Sequence, residues 1–166
     1  MAVTTLKMGS EAWWQSKKGP EWECEDNGNY RVTFWWRDPQ GTEKESAIHR
    51  VWVYITGVTD HHQNATPQSM QRIDGTNVWC WRVSLSANWR GSYCFIPTTR
   101  NDIFSSLAVG AAPDRSELRE GWRQLLPQAI ADPLNPQSWQ GGRGHAVSAL
   151  EMPDAPVQPG RSEEHT

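Results

Sequence analysis

The chain is expected to fold as an all-β antiparallel sandwich with one or two short helices. Three observations predict it. Residues 30–37, 50–56, 78–85 and 91–96 are rich in aromatic and β-branched residues, and most of them alternate with the period of a strand. Turn signals stand between them: Asp26-Asn27-Gly28-Asn29, Asp38-Pro39-Gln40-Gly41 and Asp74-Gly75. The order along the chain is short strands, one late helix and a final strand, which is the order of a packed β-domain.

From the N-terminus, Ser10-Glu11-Ala12-Trp13-Trp14-Gln15-Ser16-Lys17 reads as a short helix. Ser10 is its N-cap, Trp13 and Trp14 give it an apolar side, and Gly19-Pro20 breaks it. In the strand at residues 30–37, Tyr30, Val32, Phe34 and Trp36 take one face; Arg31, Thr33, Trp35 and Arg37 take the other. The strand at residues 50–56 is apolar on both faces, Val51, Val53 and Ile55 against Trp52 and Tyr54, so it is expected either to be central and covered on both sides or to border another domain. Residues 57–67 are polar and read as a loop. Met70-Gln71-Arg72-Ile73 reads as one short strand, which Asp74-Gly75 joins to the strand from Val78. After Pro97 come an irregular stretch and a small-residue loop to Pro113. A helix at residues 117–126 follows, with Leu118, Trp122, Leu125 and Leu126 on one side and Pro127 ending it. Asp132-Pro133-Leu134-Asn135-Pro136 is extended and turn-rich, Gly141-Gly142-Arg143-Gly144-His145 is a bend, and Ala146-Val147-Ser148-Ala149-Leu150 is a last strand. From Pro153 the chain reads as a linker or disordered tail, and residues 161–166 are expected to be dispensable. The elements suit a sandwich of the immunoglobulin-like (early-set) kind, although the Cys…Trp…Cys spacing of antibody domains is missing.

Composition narrows the function. A net charge of −3 does not suggest a nucleic-acid partner, and no apolar run approaches the ~18 residues of a membrane span. Met1 to Gln15 lacks the pattern of a signal peptide. Cys24, Cys80 and Cys94 are an odd number at unrelated spacings, which argues against a disulfide framework and for a cytoplasmic setting. No cofactor is implied. Asp60, His61 and His62 fit a hydrogen-bonded loop better than a metal site, because adjacent side chains on extended backbone point apart and no further ligands are well spaced. No Gly-x-Ser-x-Gly elbow is present, so no catalytic residue is assigned. Glu43 and Glu45 read as a solvated face.

The eleven Trp divide. Phe34, Trp36, Val53, Trp79, Trp81, Tyr93 and Phe95 alternate like core residues, and core is the expected place for about two-thirds of the Trp. Trp89-Arg90, in a turn, and Trp139 near Arg143 are expected in loops, where a large aromatic ring needs a partner. Trp beside Arg suits an aromatic anion. It also suits an interdomain contact.

Several segments resemble one family. They are Glu11-Ala12-Trp13-Trp14-Gln15-Ser16-Lys17, Val32-Thr33-Phe34-Trp35-Trp36-Arg37-Asp38-Pro39-Gln40-Gly41, the run from Val51 to Asn64, Asn88-Trp89-Arg90-Gly91-Ser92-Tyr93-Cys94-Phe95-Ile96-Pro97 and Gln128-Ala129-Ile130-Ala131-Asp132-Pro133-Leu134-Asn135. Together they look like the N-terminal domain of enterochelin esterase, from about Thr5 to about Gly160. The run at residues 107–112 looks like an insertion relative to that family, and residues 161–166 do not look like its continuation.

The resemblance implies an immunoglobulin-like domain over residues 1–152 and a linker or tail over 153–166. The catalytic α/β-hydrolase domain, which in the family hydrolyses the trilactone of ferric enterobactin, is expected to be absent here. The implied role is non-catalytic: to shape the esterase site of that hydrolase domain, the expected partner, with ferric enterobactin as a possible ligand. On this reading the chain alone has no esterase activity. The ligand-binding or interdomain candidates are Trp89, Arg90, Trp139, Arg143 and His145. The alternative is a free-standing β-sandwich module that recognises a protein or carbohydrate through exposed Trp.

Overall fold

A computed structural model of the chain describes residues 6–56, 58–59, 67–99, 104, 115–140 and 146–155. The readings made on Asp60, His61 and His62, on residues 107–112 and 141–145, and on the tail beyond residue 155 lie outside them.

The described strands form two antiparallel sheets. One has the order β1 (Glu21–Cys24), β2 (Tyr30–Arg37), β6 (Val78–Leu85), β5 (Gln71–Arg72). The other has the order β4 (Gln68–Ser69), β3 (Arg50–Ile55), β7 (Arg90–Thr98), β9 (Ala146–Glu151), β8 (Ser138–Gln140). The sheets pack face to face as an all-β sandwich. The alternation of β2 sends Val32, Phe34 and Trp36 inward, where they meet Val51, Val53 and Ile55 of β3 and Tyr93 and Phe95 of β7. Phe34 packs edge-on against Tyr93 across the two sheets, with ring centroids 5.0 Å apart. Each such buried side chain stabilises the fold by roughly 1.5–3 kcal/mol.

Two helices cover parts of the outer faces. In α1 (Glu11–Gln15) the Ser10 hydroxyl accepts a hydrogen bond from the Trp13 N–H at 3.2 Å, the cap that the sequence predicts. Trp13 and Trp14 then pack on Trp35 and Val78, the outward residues of β2 and β6. α2 (Arg115–Leu125) sets Leu118, Trp122 and Leu125 on Trp52 and Ile96. That is why β3 is apolar on both faces: one faces the sandwich core and the other faces α2. Gly121 permits this contact, since a Cβ there would lie 2.1 Å from Phe104 Cε1. A short 3₁₀ turn at Leu126–Gln128 ends α2, with Pro127 inside it. No helix among the described residues is long and apolar enough to cross a membrane.

The sequence reading of residues 70–73 is corrected by the sheet order. Residues 70–73 are not one strand. β4 and β5 belong to different sheets, and the chain crosses between them at Met70, whose side chain is buried in the core. Behind this crossing Arg72 is clamped. It pairs with the buried Asp38 and donates to the carbonyls of Gly41 and Thr76, each at 3.0 Å. Its guanidinium lies over the Trp79 ring, 4.8 Å from the centroid. The turn at Asp38, read locally from Pro and Gly, is thus fixed by a side chain from a distant strand.

Candidate functional site

The chain reverses between β6 and β7 through a tight turn in which the Trp89 N–H donates to the Ser86 carbonyl at 3.0 Å. The Trp89 indole folds back over Gly91. A Cβ at Gly91 would lie 2.6 Å from Trp89 Cζ2, so glycine is what allows the ring to lie there. The ring is half-buried and rests on the inter-sheet core.

Arg90 differs from its sequence reading. It opens β7 rather than lying in a loop, and it sits opposite Glu151 of β9. Its Nε lies 3.0 Å from Glu151 Oε1, and its side chain is only 23% exposed, so the guanidinium is paired and not free in water. The chain leaves β9 past this corner. The Met152 N–H donates to the Trp89 carbonyl and the Asp154 N–H to the Ala87 carbonyl, both at 2.9 Å. Trp89, Arg90, Glu151 and the chain leaving β9 therefore form one corner.

The other candidates lie elsewhere. Trp139, expected in a loop, is in β8, paired with Val147. Arg143 and His145 are outside the described residues, but Gln140 and Ala146, which flank that segment, are paired with each other. Ala146 and Glu151 begin and end β9, roughly 17 Å apart at strand spacing. The described geometry thus joins Trp89 to Arg90 and holds the ends of the 141–145 segment at the far end of β9.

A buried polar network behind the corner was missed by sequence reasoning. Tyr93 Oη donates to Asp132 Oδ2 at 2.7 Å and accepts from Asn135 Nδ2 at 3.0 Å. The Leu134 N–H donates to Asp132 Oδ1 at 3.0 Å, and the Asp132 N–H donates to Ser148 Oγ at 2.8 Å. Ser138 and Ser148 share a hydrogen bond of 2.6 Å. Asp132 is 1% exposed. Burial pushes its carboxyl above the ordinary value, against the bonds from Tyr93 and Leu134 that favour the carboxylate. Burial, and then the charge of Asp132, push the Tyr93 phenol far up, so it remains a donor. The network holds the 132–138 segment onto β7 and β9. Asp132-Pro133 followed by Asn135 was its only local signal, a turn that looks the same whether or not a tyrosine waits beneath it.

Sequence reasoning also passed over Trp22. It lies on the edge strand β1 and is 41% exposed, unusually open for a large aromatic side chain. The alternation Glu21-Trp22-Glu23-Cys24 after Gly19-Pro20 was a weak signal for that strand. Among the described residues, no three His, Cys, Asp or Glu side chains are grouped to hold a metal ion. The corner brings together an aromatic ring and a paired guanidinium and carboxylate beside the path of the departing chain.

Comparison with known proteins places the molecule. A family model described as enterochelin esterase, N-terminal, matches residues 31–161. The chain is 73% identical over 158 residues to the iron(III) enterobactin esterase of Escherichia coli K12, covering 95% of this chain and 38% of that protein. It is 36% identical over 152 residues to that of Yersinia enterocolitica, covering 89% and 42%. The crystal structure of ferric enterobactin esterase from Salmonella typhimurium superposes with a TM-score of 0.87 at 76% identity, over 92% of this chain and 39% of that one. A Shigella flexneri enterobactin esterase, crystallised in the presence of enterobactin, gives a TM-score of 0.84 at 71% identity, over 95% and 39%. The chain spans about two-fifths of the length of these relatives, and it belongs to the enterochelin esterase N-terminal family.

Proposed function

We propose that this chain serves as the non-catalytic N-terminal domain of a ferric-enterobactin esterase. In that reading a following α/β-hydrolase domain cleaves the siderophore trilactone, and this sandwich helps to shape the mouth of its site. One observation carries the proposal: relatives 73% identical over nearly the whole chain are iron(III) enterobactin esterases of which it spans only 38%. Ferric enterobactin is an anionic, aromatic tricatecholate. Trp and Arg suit such a ligand, because a ring stacks on catechol and a guanidinium binds its charge. Trp89, Arg90, Trp139, Arg143 and His145 are proposed for this surface or for the contact with the hydrolase domain. The proposed compartment is the cytoplasm, which the free thiols of Cys24, Cys80 and Cys94 suit.

The test uses the 166-residue chain and the full-length esterase that contains it. The Arg90–Glu151 pair is partly exposed and stabilises the fold by at most about 1 kcal/mol. Arg90→Ala should therefore barely lower the thermal midpoint of the chain. In the full-length protein, Arg90→Ala or Arg143→Ala should reduce turnover of ferric enterobactin by about tenfold or more, the scale of a lost charge-assisted contact. If both variants turn over substrate like the parent, the arginines have no part in the site. The half-exposed Trp22 keeps a second reading open, a module that binds glycans or protein alone. That reading requires a saturable change in tryptophan fluorescence when the isolated chain meets such a ligand and none with ferric enterobactin.

A further inference from the structure

The turn between β1 and β2 holds the chain's one Asn-Gly pair, Asn27-Gly28, and both residues are exposed. Backbone hydrogen bonds close this turn. The Glu25 N–H donates to the Asn29 carbonyl at 2.7 Å, and the Gly28 N–H donates to the Glu25 carbonyl at 3.0 Å. Gly28 has φ +85°, a conformation that a side chain would strain, and nothing lies within 4 Å of where a Cβ would stand. Asn27 Oδ1 accepts from the Asn29 N–H at 3.0 Å.

These features set up a reaction inside the turn. The backbone nitrogen that follows an asparagine attacks the side-chain amide carbon where nothing crowds it. The Gly28 nitrogen, with no side chain beside it and open space around it, is the least crowded of its kind here. The Asn29 N–H points at the oxygen on which negative charge develops during the attack, and so stabilises the intermediate. The other described sites lack this combination. Asn29, Asn77 and Asn88 precede Tyr30, Val78 and Trp89, whose side chains crowd the nitrogen, and Pro136 after Asn135 has no N–H to lose. At Asp74-Gly75 a carboxyl group, a poorer electrophile, replaces the amide, and both oxygens of Glu43 hold the Gly75 N–H, at 3.0 and 3.2 Å.

We infer that Asn27 is a site of spontaneous deamidation that loosens the edge strand β1. The Gly28 nitrogen gives its proton to water and bonds to Asn27 Cγ. The bond from Cγ to the side-chain nitrogen breaks, and that nitrogen leaves as ammonia. Water then opens the cyclic imide. Opening at the side-chain carbonyl leaves aspartate; opening at the main-chain carbonyl leaves isoaspartate, whose backbone runs through Cγ. Both products add a negative charge beside Glu25 and Asp26. Only isoaspartate also lengthens the main chain, which breaks the hydrogen bonds that close the turn. β1 pairs with β2 alone, from Glu21↔Thr33 to Cys24↔Tyr30. Its Glu21 end is pinned, because Glu21 accepts from Lys17 Nζ and Trp35 Nε1, both at 3.1 Å. At the other end the surface contacts of Glu25 with Ser84 and Arg31 are weaker ties, so that end depends on the turn. Isoaspartate at position 27 therefore frees β1 from its Cys24 end. The inference is independent of the proposed two-domain reading.

In the test, the 166-residue chain is aged at pH 6, 7 and 8 and digested. Each Asn peptide is read by mass spectrometry and by enzymatic methyl transfer to isoaspartate. Isoaspartate and aspartate should appear at position 27 ahead of the other described Asn. The rate should rise roughly tenfold for each pH unit, since the attacking amide must first lose its proton. Asn27→Gln should abolish the signal. The aged chain, separated by its added charge, should exchange amide hydrogen faster at the Cys24 end of β1 than Asn27→Asp, which carries the charge without the longer main chain. An Asn27 that stays intact in the native chain while a synthetic peptide of residues 23–31 converts overturns the inference. So does conversion first at another described Asn, or conversion only in denaturant. Equal β1 exchange in the isoaspartyl chain and in Asn27→Asp overturns the release of the strand.

Discussion

Tyr93→Phe tests the buried network most sharply. The ring is 1% exposed and packs against Phe34 and Phe95, with centroids 5.0 and 5.5 Å away, contacts that Phe retains. What is lost is one hydroxyl. Asn135 Nδ2 keeps its other bond, to the Ala149 carbonyl at 2.8 Å, so its loss is small. Asp132 Oδ2 loses the bond from Tyr93 while buried. A hydrogen bond to a charged group contributes about 1.5–3 kcal/mol, and an orphaned buried acceptor adds to the loss. The expected destabilisation is therefore about 3 kcal/mol at neutral pH. At roughly 2–4 °C per kcal/mol for a chain of this size, the melting temperature should fall by roughly 6–12 °C.

The pH dependence has a definite sign. Because Asp132 is raised in the folded state, it lowers stability as pH climbs from the ordinary carboxyl value, 3.8, through the folded one. Removing the Tyr93 hydroxyl raises the folded value further, so the penalty of Tyr93→Phe should grow from pH 4 to pH 8. Urea unfolding across that range measures it. In an Asp132→Asn background the same substitution should cost only about 1 kcal/mol, the scale of a neutral bond, with little pH dependence. A penalty under about 1 kcal/mol at pH 7, or one that is flat with pH and unchanged by Asp132→Asn, refutes the account given of the network.

Other substitutions have equally definite outcomes. Gly121→Ala should destabilise the chain on thermal melting, because its Cβ would meet Phe104 at 2.1 Å. Overpacking costs about 1–3 kcal/mol, more than the ~1 kcal/mol that Ala gains over Gly in a helix, and trimming the ring as well should recover part of the loss. A stabilised single variant would show that Phe104 does not pack on α2. Arg72→Met should cost about 3–5 kcal/mol in chemical unfolding, since it strands a buried carboxylate. The Asp38 carboxyl sits below its ordinary value: burial pushes it up, but hydrogen bonds from Ser46, Arg72, the Gln40 N–H and Trp79 outweigh that. Its contribution is therefore present above pH 3.8 and lost as pH falls through the lower folded value, so Asp38→Asn should flatten the acid limb of the stability curve. Alkylation should modify exposed Cys24 first, Cys80 slowly, and Cys94, whose thiol burial pushes up to about 12, only on unfolding. Rapid modification of Cys94 in the native chain would contradict its burial.

Much of this architecture is local information. A strand's period of two is written in the residues that build it, so the alternation of Val32, Phe34 and Trp36 identified an inner face without reference to any partner. The Ser10 cap and the Asp38 turn follow from short-range hydrogen bonding and fixed φ, which operate over four residues. The two apolar faces of β3 called for a cover on each side or a neighbouring domain, and α2 supplies the second cover. The family was legible for the same reason, since its long Trp-rich segments are continuous in the chain.

The remaining features required the tertiary structure, because each depends on groups far apart in sequence. Nothing local in Gln68 to Arg72 tells that Met70 carries the chain from one sheet to the other; the pairing partners on β3 and β6 decide it. Arg90 beside a turn looks free until β9 brings Glu151 opposite it, 61 residues later. Asp132 looks like a surface turn residue until Tyr93, 39 residues earlier, is found beneath it. Trp22 drew no notice in a sequence rich in Trp, and only the sheet order, which leaves β1 at an edge, sets it apart. Propensity and periodicity act within a segment, whereas burial and the pairing of charges are properties of the assembled surface, and it is there that the candidate site was decided.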